Sequence, residues 1–397
     1  MEIVVRMRAR VMLKTTERKM VNGTGDTRSP VPGPFSTSSE VMMIRCKMHL
    51  FDTSRLRLIN NPDRNSTRSL YDSDVVYFEI HGRRYCKDYY MPNDEDEQTR
   101  LQMINGITFS ILGDRLLTAP VRDPKKILDV GTGTGEWAIA MGDEYPEAEV
   151  IGTDIAKIQP TAVPLNVFFE IDDAEEEDGW TWAEDEFDLV HLRYMSGAFT
   201  DWKHIYGEAY THLKPGGWVE ILDFDDHNDL LGFFPPESDV HTWFTAVNEG
   251  SEKSGRSQST SHLKPENLQQ LGFVDVSCTT FSIPMGAWRD DTEGQKTGKH
   301  FLFAIVIGAQ ALSLRVLSEQ MGWDHEKITR LTDSAKAQVW NMSLDPIKAN
   351  GMGFRVKVLT GRKPGGPDDF GGVEDTSSSR TVTMTDSGVE GVNGFIA

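Results

Sequence analysis

Positive charge is scarce in this chain. Its 41 Lys and Arg stand against 61 Asp and Glu in 397 residues, a formal net charge of −20. Nucleic-acid binding needs a basic stripe that displaces counterions from phosphates, and none is visible, so neither DNA nor RNA is an expected partner. Cysteine is also rare. Cys46, Cys86 and Cys278 are scattered without a C-x-x-C pair, which gives no disulfide framework or thiolate metal site and fits a reducing compartment. No His, Asp and Glu cluster has metal-ligand spacing, so no metal is expected. The apolar run from Phe301 to Leu314 falls short of the ~20 residues that span a bilayer. Gln310, Ser313 and Arg315 interrupt or end it, and a buried helix is expected there rather than a membrane contact. The early basic residues Arg6, Arg8, Arg10, Lys14, Arg18 and Lys19 have no apolar core beside them. They bear a faint likeness to a mitochondrial presequence, but an unstructured extension is the favoured reading.

Against these absences stands one dense feature, Lys126-Ile127-Leu128-Asp129-Val130-Gly131-Thr132-Gly133-Thr134-Gly135-Glu136-Trp137. An apolar strand runs into an acid, three alternate glycines and then a helical pattern. Strand, glycine loop and helix in this order make a nucleotide-type pocket at the carboxyl end of a parallel sheet. A dinucleotide site uses G-x-G-x-x-G, and here Glu136 takes the last glycine's place, where its carboxylate would oppose a pyrophosphate. Asp129 before the loop suits a cationic amine. S-adenosylmethionine has such an amine, a positive sulfonium and no phosphate, and it is the expected cofactor. Asp129, Gly131, Thr132, Gly133 and Gly135 are its expected contacts in this segment.

Three further strands end in chemistry. Glu149 to Ile155 places Asp154 about twenty residues past the glycines, where an acid accepts from ribose hydroxyls; Ile155 follows it into the site. Val167 to Ala174 ends in Asp172, Asp173 and Ala174, with Asp173 the preferred acceptor for an adenine amino group. The rest of the acid-rich stretch to Asp188 reads as a solvated loop. Phe187 to Met195 carries His191, Arg193 and Tyr194 toward the crevice. Arg193 is expected at the cofactor, and His191, then Tyr194, are candidate general bases. The plainer alternative is that His191 and Arg193 merely line a covered face of the sheet.

A helix over Trp202 to Leu213 then meets Leu213-Lys214-Pro215-Gly216-Gly217, a turn in which proline stops the helix and the glycines lead into the next strand. With this order of motifs the chain resembles class I S-adenosylmethionine-dependent methyltransferases, and within them the fungal LaeA-like group. Tyr145-Pro146, Val150-Ile151-Gly152-Thr153-Asp154 and Ile158-Gln159-Pro160 are similar to that group's pattern after the glycine loop. So are Gly82-Arg83-Arg84-Tyr85, Tyr90 to Glu95 and Arg100-Leu101 upstream, and Gly322-Trp323 and Gly361-Arg362-Lys363-Pro364 downstream. The resemblance covers about residues 75 to 364. Lys157 and Lys203 depart from it at positions where the group often has proline, away from the inferred amine and ribose contacts.

The expected fold is α/β, a doubly wound seven-stranded Rossmann-like sheet whose last strand returns antiparallel, as the resemblance implies. Residues 1–70 are expected to be a disordered extension and 71–120 an N-terminal cap with a hairpin and a helix. Residues 121–364 form the methyltransferase domain, with a helical insertion over 285–345 expected to act as a lid or substrate wall, and 365–397 a disordered tail. The resemblance implies methyl transfer to an N or O of a small molecule or peptide in fungal secondary metabolism. Its other implication is a LaeA-like nuclear regulator acting through protein partners. No run of about 5–8 Lys and Arg marks a nuclear signal, which tips the expectation toward a cytoplasmic tailoring enzyme.

Overall fold

Apolar strands alternating with helices produce one central sheet. In this computed structural model residues 56–58, 75–225 and 227–366 are described; the expectations for the remainder of the N-terminal extension and for the tail beyond 366 lie outside them. The strands are β1 Leu56–Leu58, β2 Tyr77–Ile80, β3 Arg83–Cys86, β4 Lys126–Val130, β5 Glu149–Asp154, β6 Ala162–Pro164, β7 Val167–Ile171, β8 Phe187–Arg193, β9 Leu213–Phe224, β10 Val274–Pro284 and β11 Gly353–Arg362. The helices are α1 Glu95–Ile111, α2 Glu136–Glu144, α3 Trp202–His212, α4 Asn228–Leu231, α5 Asp239–Lys253, α6 Pro265–Gln269, α7 Thr292–Met321 and α8 His325–Ser343.

The seven-stranded sheet runs β10-β11-β9-β8-β4-β5-β7. Strands β7, β5, β4, β8 and β9 are parallel, and β11 lies antiparallel between β9 and β10. A parallel sheet is covered on both faces, so its strands are apolar almost throughout; Ile127, Leu128, Val150, Ile151, Leu189 and Val190 are all fully buried. The chain winds from β4 to β5 and β7 on one side, then returns to β8 and β9 on the other. That reversal between β4 and β8 is the topological switch point, where a doubly wound sheet opens a crevice beyond its strand ends.

Helix starts follow their capping residues. Asp94 caps α1 by accepting from the Glu97 backbone N–H, with Glu95, Asp96 and Glu97 in the positive first turn. Asp291 and Asp324 cap α7 and α8 in the same way, and Gly322 ends α7 with a left-handed φ of 64°. Helix α7 has the length and apolarity of a membrane span. Yet Phe301, Leu302, Ala304, Leu314 and Leu317 are buried in the cluster that also holds Ile104 of α1, Trp243 of α5 and Ile328 of α8. Each such large apolar side chain stabilises the fold by about 1.5–3 kcal/mol.

Leu56–Leu58, in the segment expected to lack structure for most of its length, forms a strand paired antiparallel with β6, which leaves that expectation standing. One local expectation needs correction. Lys214 to Gly217 is already part of β9 rather than a separate turn. The register with β8 shifts between Phe187 and Leu189, while Gly216 donates to the Lys363 carbonyl and Lys363 to the Gly217 carbonyl. The glycines thus carry a bulged strand start that continues the pairing past β11.

Candidate functional site

The ends of β4, β5, β7 and β8 open into a cavity of about 350 Å³, roofed by residues 86–105 of the hairpin exit and α1. Its floor is the glycine loop. Gly131, Gly133 and Gly135 all adopt positive φ, at 70°, 59° and 82°, a region that costs other residues roughly 1–2 kcal/mol. A Cβ on Gly131 would sit 2.3 Å from the Met195 sulfur, and one on Gly135 2.4 Å from the Phe169 ring. Gly131 therefore keeps the cavity open. Gly135 does not line it; its missing side chain lets β7's aromatic pack beneath the loop.

Asp154 organises this loop. One carboxylate oxygen accepts from the Gly133 backbone N–H at 2.8 Å and the other from Ala156 at 2.9 Å. Gln159 clamps the far side, donating to the Gly133 carbonyl at 2.7 Å and to the Ala156 carbonyl at 3.0 Å. A carboxylate has about four acceptor sites, so Asp154 keeps capacity for a ligand's hydroxyls. Burial pushes its pKa up to about 6; the nearby Asp129 adds to this, and the Ala156 and Gly133 N–H groups oppose it. Asp172 is likewise raised to about 6, by burial and then by Glu176. Beside it Asp173 pairs with Lys87 at 3.0 Å, closing the cavity between β7 and the cap.

On the other side of the loop, Asp129 is buried and accepts from Thr132 Oγ1 at 2.6 Å and from His191 Nδ1 at 2.8 Å. Arg193 emerges at the end of β8, its Nη2 donating to Asn105 Oδ1 at 2.7 Å. Burial lowers its pKa, but a guanidinium stays charged, so it offers the cavity a cation held by a neutral amide. Nearby, Glu97 and Arg100 form a bidentate pair in α1.

The structure brings together Asp129, Gly131, Thr132, Gly133, Asp154, Ile155, Asp172, Asp173, Ala174, Arg193 and Tyr194 around one cavity. Four expectations fail, that of Gly135 as a contact within the cavity among them. His191 is 1% exposed and lies outside the lining, stacked at 3.6 Å on the Trp137 ring, so it cannot reach an acceptor as a base. Tyr194 lines the cavity in a left-handed backbone conformation, but its hydroxyl is held 2.6 Å from Thr108 Oγ1, and burial raises its pKa to about 12. It stays a neutral phenol near neutral pH. The insertion helices α7 and α8 do not line the cavity; α7 acts on it through Arg315, whose Nη1 donates to the Lys87 and Tyr89 carbonyls at 2.7 and 2.8 Å. Asn105, Gln159, Lys87 and Arg256 join the site without having been singled out. Gln159 had a sequence signal, its place in Ile158-Gln159-Pro160, whereas Arg256, far along the chain, had none.

Acids dominate the loop side of the cavity, and Glu136 lines it where a phosphate site would need a glycine. This set of acceptors fits a cationic, phosphate-free nucleoside, not a dinucleotide. Sheet order, switch-point loop and acceptor set together define the class: an S-adenosylmethionine-dependent methyltransferase. A family model described as a methyltransferase domain matches residues 106–273. The chain is 34% identical over 314 residues to Methyltransferase pytC of Aspergillus terreus, covering 76% of this chain and 93% of that protein. It is 31% identical over 295 residues to the secondary metabolism regulator laeA of Aspergillus fumigatus, covering 72% and 78%. Among solved structures, phosphoethanolamine N-methyltransferase 2 of Haemonchus contortus in complex with S-adenosyl-L-methionine is 14% identical with a TM-score of 0.37, covering 67% of this chain and 52% of that one. The chain belongs to the methyltransferase family that includes pytC and the LaeA-like proteins.

Proposed function

We propose that this enzyme methylates an N or O of a small molecule or peptide in fungal secondary metabolism. The observation that carries this is the roof: Tyr89, Met91, Leu101 and Ile104 of the cap close over the glycine loop, which favours an acceptor small enough to lie beneath them. The relationship to pytC, a methyltransferase by name at 34% identity, supports the same reading.

When bound, S-adenosylmethionine supplies an electrophilic methyl carbon on a sulfonium. Asp129 would hold its ammonium, Asp154 its ribose hydroxyls, Asp172 and Asp173 its adenine edge, and Arg193 its carboxylate. The cap orients the acceptor for in-line approach and excludes water, so catalysis rests mainly on near-attack positioning. His191 is out of reach and Tyr194 is a neutral phenol, so neither serves as a general base. A neutral amine needs none.

The relationship to laeA favours a second reading, a regulator of secondary-metabolite production working through protein partners. Disrupting the gene in its host and profiling metabolites separates the two. One compound family losing the mass of a single methylene supports the tailoring enzyme, whereas collapse of many unrelated compounds supports the regulator. We propose a cytoplasmic location, and a fluorescent fusion concentrating in nuclei would move the balance to the regulator.

A further inference from the structure

Three strands carry a polar residue at the same level of the sheet. Asp129 of β4 pairs in register with His191 of β8, and His191 with Glu220 of β9. All three are buried, at 3%, 1% and 0% exposure. Three such groups buried side by side are costly unless each is bonded. Glu220 fastens the segment leaving the cap: its Oε2 accepts from the Thr118 and Ala119 N–H groups and from Thr118 Oγ1. The Trp137 indole covers the His191 ring and donates to the Leu116 carbonyl at 2.7 Å. The row therefore joins the cap's exit to the acid before the glycine loop.

The proton on His191 can be placed. Asp129 takes a hydrogen bond from the Thr132 hydroxyl on Oδ2, and a carboxylate oxygen accepts while a ring N–H donates. The 2.8 Å contact between its Oδ1 and His191 Nδ1 is then a bond in which Nδ1–H donates. Thr132 and His191 each fix one oxygen, which sets the carboxylate plane and leaves the remaining lone pairs for the cavity.

We propose that His191 is a positioning residue for the cofactor's amino-acid end: it orients Asp129 toward the ammonium and touches neither cofactor nor acceptor. This rests on the assignment of Asp129 to the ammonium made above. The test compares two nucleosides, S-adenosylhomocysteine, which carries the amino-acid end, and 5′-methylthioadenosine, which lacks it. His191→Phe keeps a ring against Trp137 but loses the donor; His191→Asn keeps an N–H near the Nδ1 position. By calorimetry, His191→Phe is expected to weaken S-adenosylhomocysteine about tenfold, the scale of one charge-assisted hydrogen bond. His191→Asn should restore most of that, and methylthioadenosine should bind all three proteins alike. Equal weakening of both nucleosides, or no weakening of either, overturns the proposal. Should His191→Phe fail to fold, the imidazole N–H resonance of the unmodified protein decides: it must shift with S-adenosylhomocysteine and not with methylthioadenosine. Unmodified protein that binds methylthioadenosine but not S-adenosylhomocysteine would instead overturn the assignment of Asp129 itself.

Discussion

At the scale of single residues, Asp154 is the most exposed to test. Its carboxyl sits near pKa 6 because burial disfavours the charge, and hydroxyl binding needs the ionised form. Cofactor affinity should therefore be flat from about pH 8 down to about 6 and then fall by up to tenfold per pH unit. Stability runs the other way: with the folded pKa above the unfolded one, this group's contribution declines as pH rises from about 4 to about 6. Calorimetric titration of S-adenosylhomocysteine from about pH 5 to about pH 8 checks the first effect, and Asp154→Ala should bind too weakly to measure. Acids at strand ends were legible in the sequence because a doubly wound sheet directs those ends at its ligand. His191 and Arg193 share a strand and an alternation, and only depth separates them. Two residues along a strand is about 6–7 Å, enough to put Arg193 in the cavity and His191 under Trp137. Alternation reveals a shared face but not how far a residue lies from the crevice.

The elements around the site show where packing overrides pattern. The start of α7 is seated on the loop after β10, where a Cβ on Gly298 would lie 2.0 Å from the Gly286 carbonyl oxygen. Backbone offers no easy retreat, so Gly298→Ala should cost about 1–3 kcal/mol in urea unfolding with an unchanged m-value. Arg315, 7% exposed, holds the carbonyls of Lys87 and Tyr89 and covers the Phe78 ring. Arg315→Ala should lose about 2–3 kcal/mol and also weaken S-adenosylhomocysteine binding, because residues 86–89 wall the cavity. If stability falls while binding stays unchanged, the hairpin exit holds its place without α7. A helical insertion over 285–345 could be read from the chain, since helical pattern is local. Its partner could not. An apolar face reports that something covers it, and here it covers α1 and α5 rather than a substrate.

For the molecule as a whole, the sequence held the sheet order only through its resemblance to a family, because composition and periodicity do not fix where β11 inserts. The glycine loop and its neighbouring acids, legible in the chain, mostly gather around one cavity. The rest of the cavity wall comes from the hairpin exit, α1 and the distant Arg256, a convergence that no linear pattern encodes. Central to the proposed function is a roof that admits a small acceptor. Methyl-labelled S-adenosylmethionine incubated with the enzyme and a host extract, split into small-molecule and protein fractions, tests it most directly. Label should accumulate in the small-molecule fraction and vanish with Asp154→Ala. Label confined to protein, and lost with the same substitution, would contradict the claim.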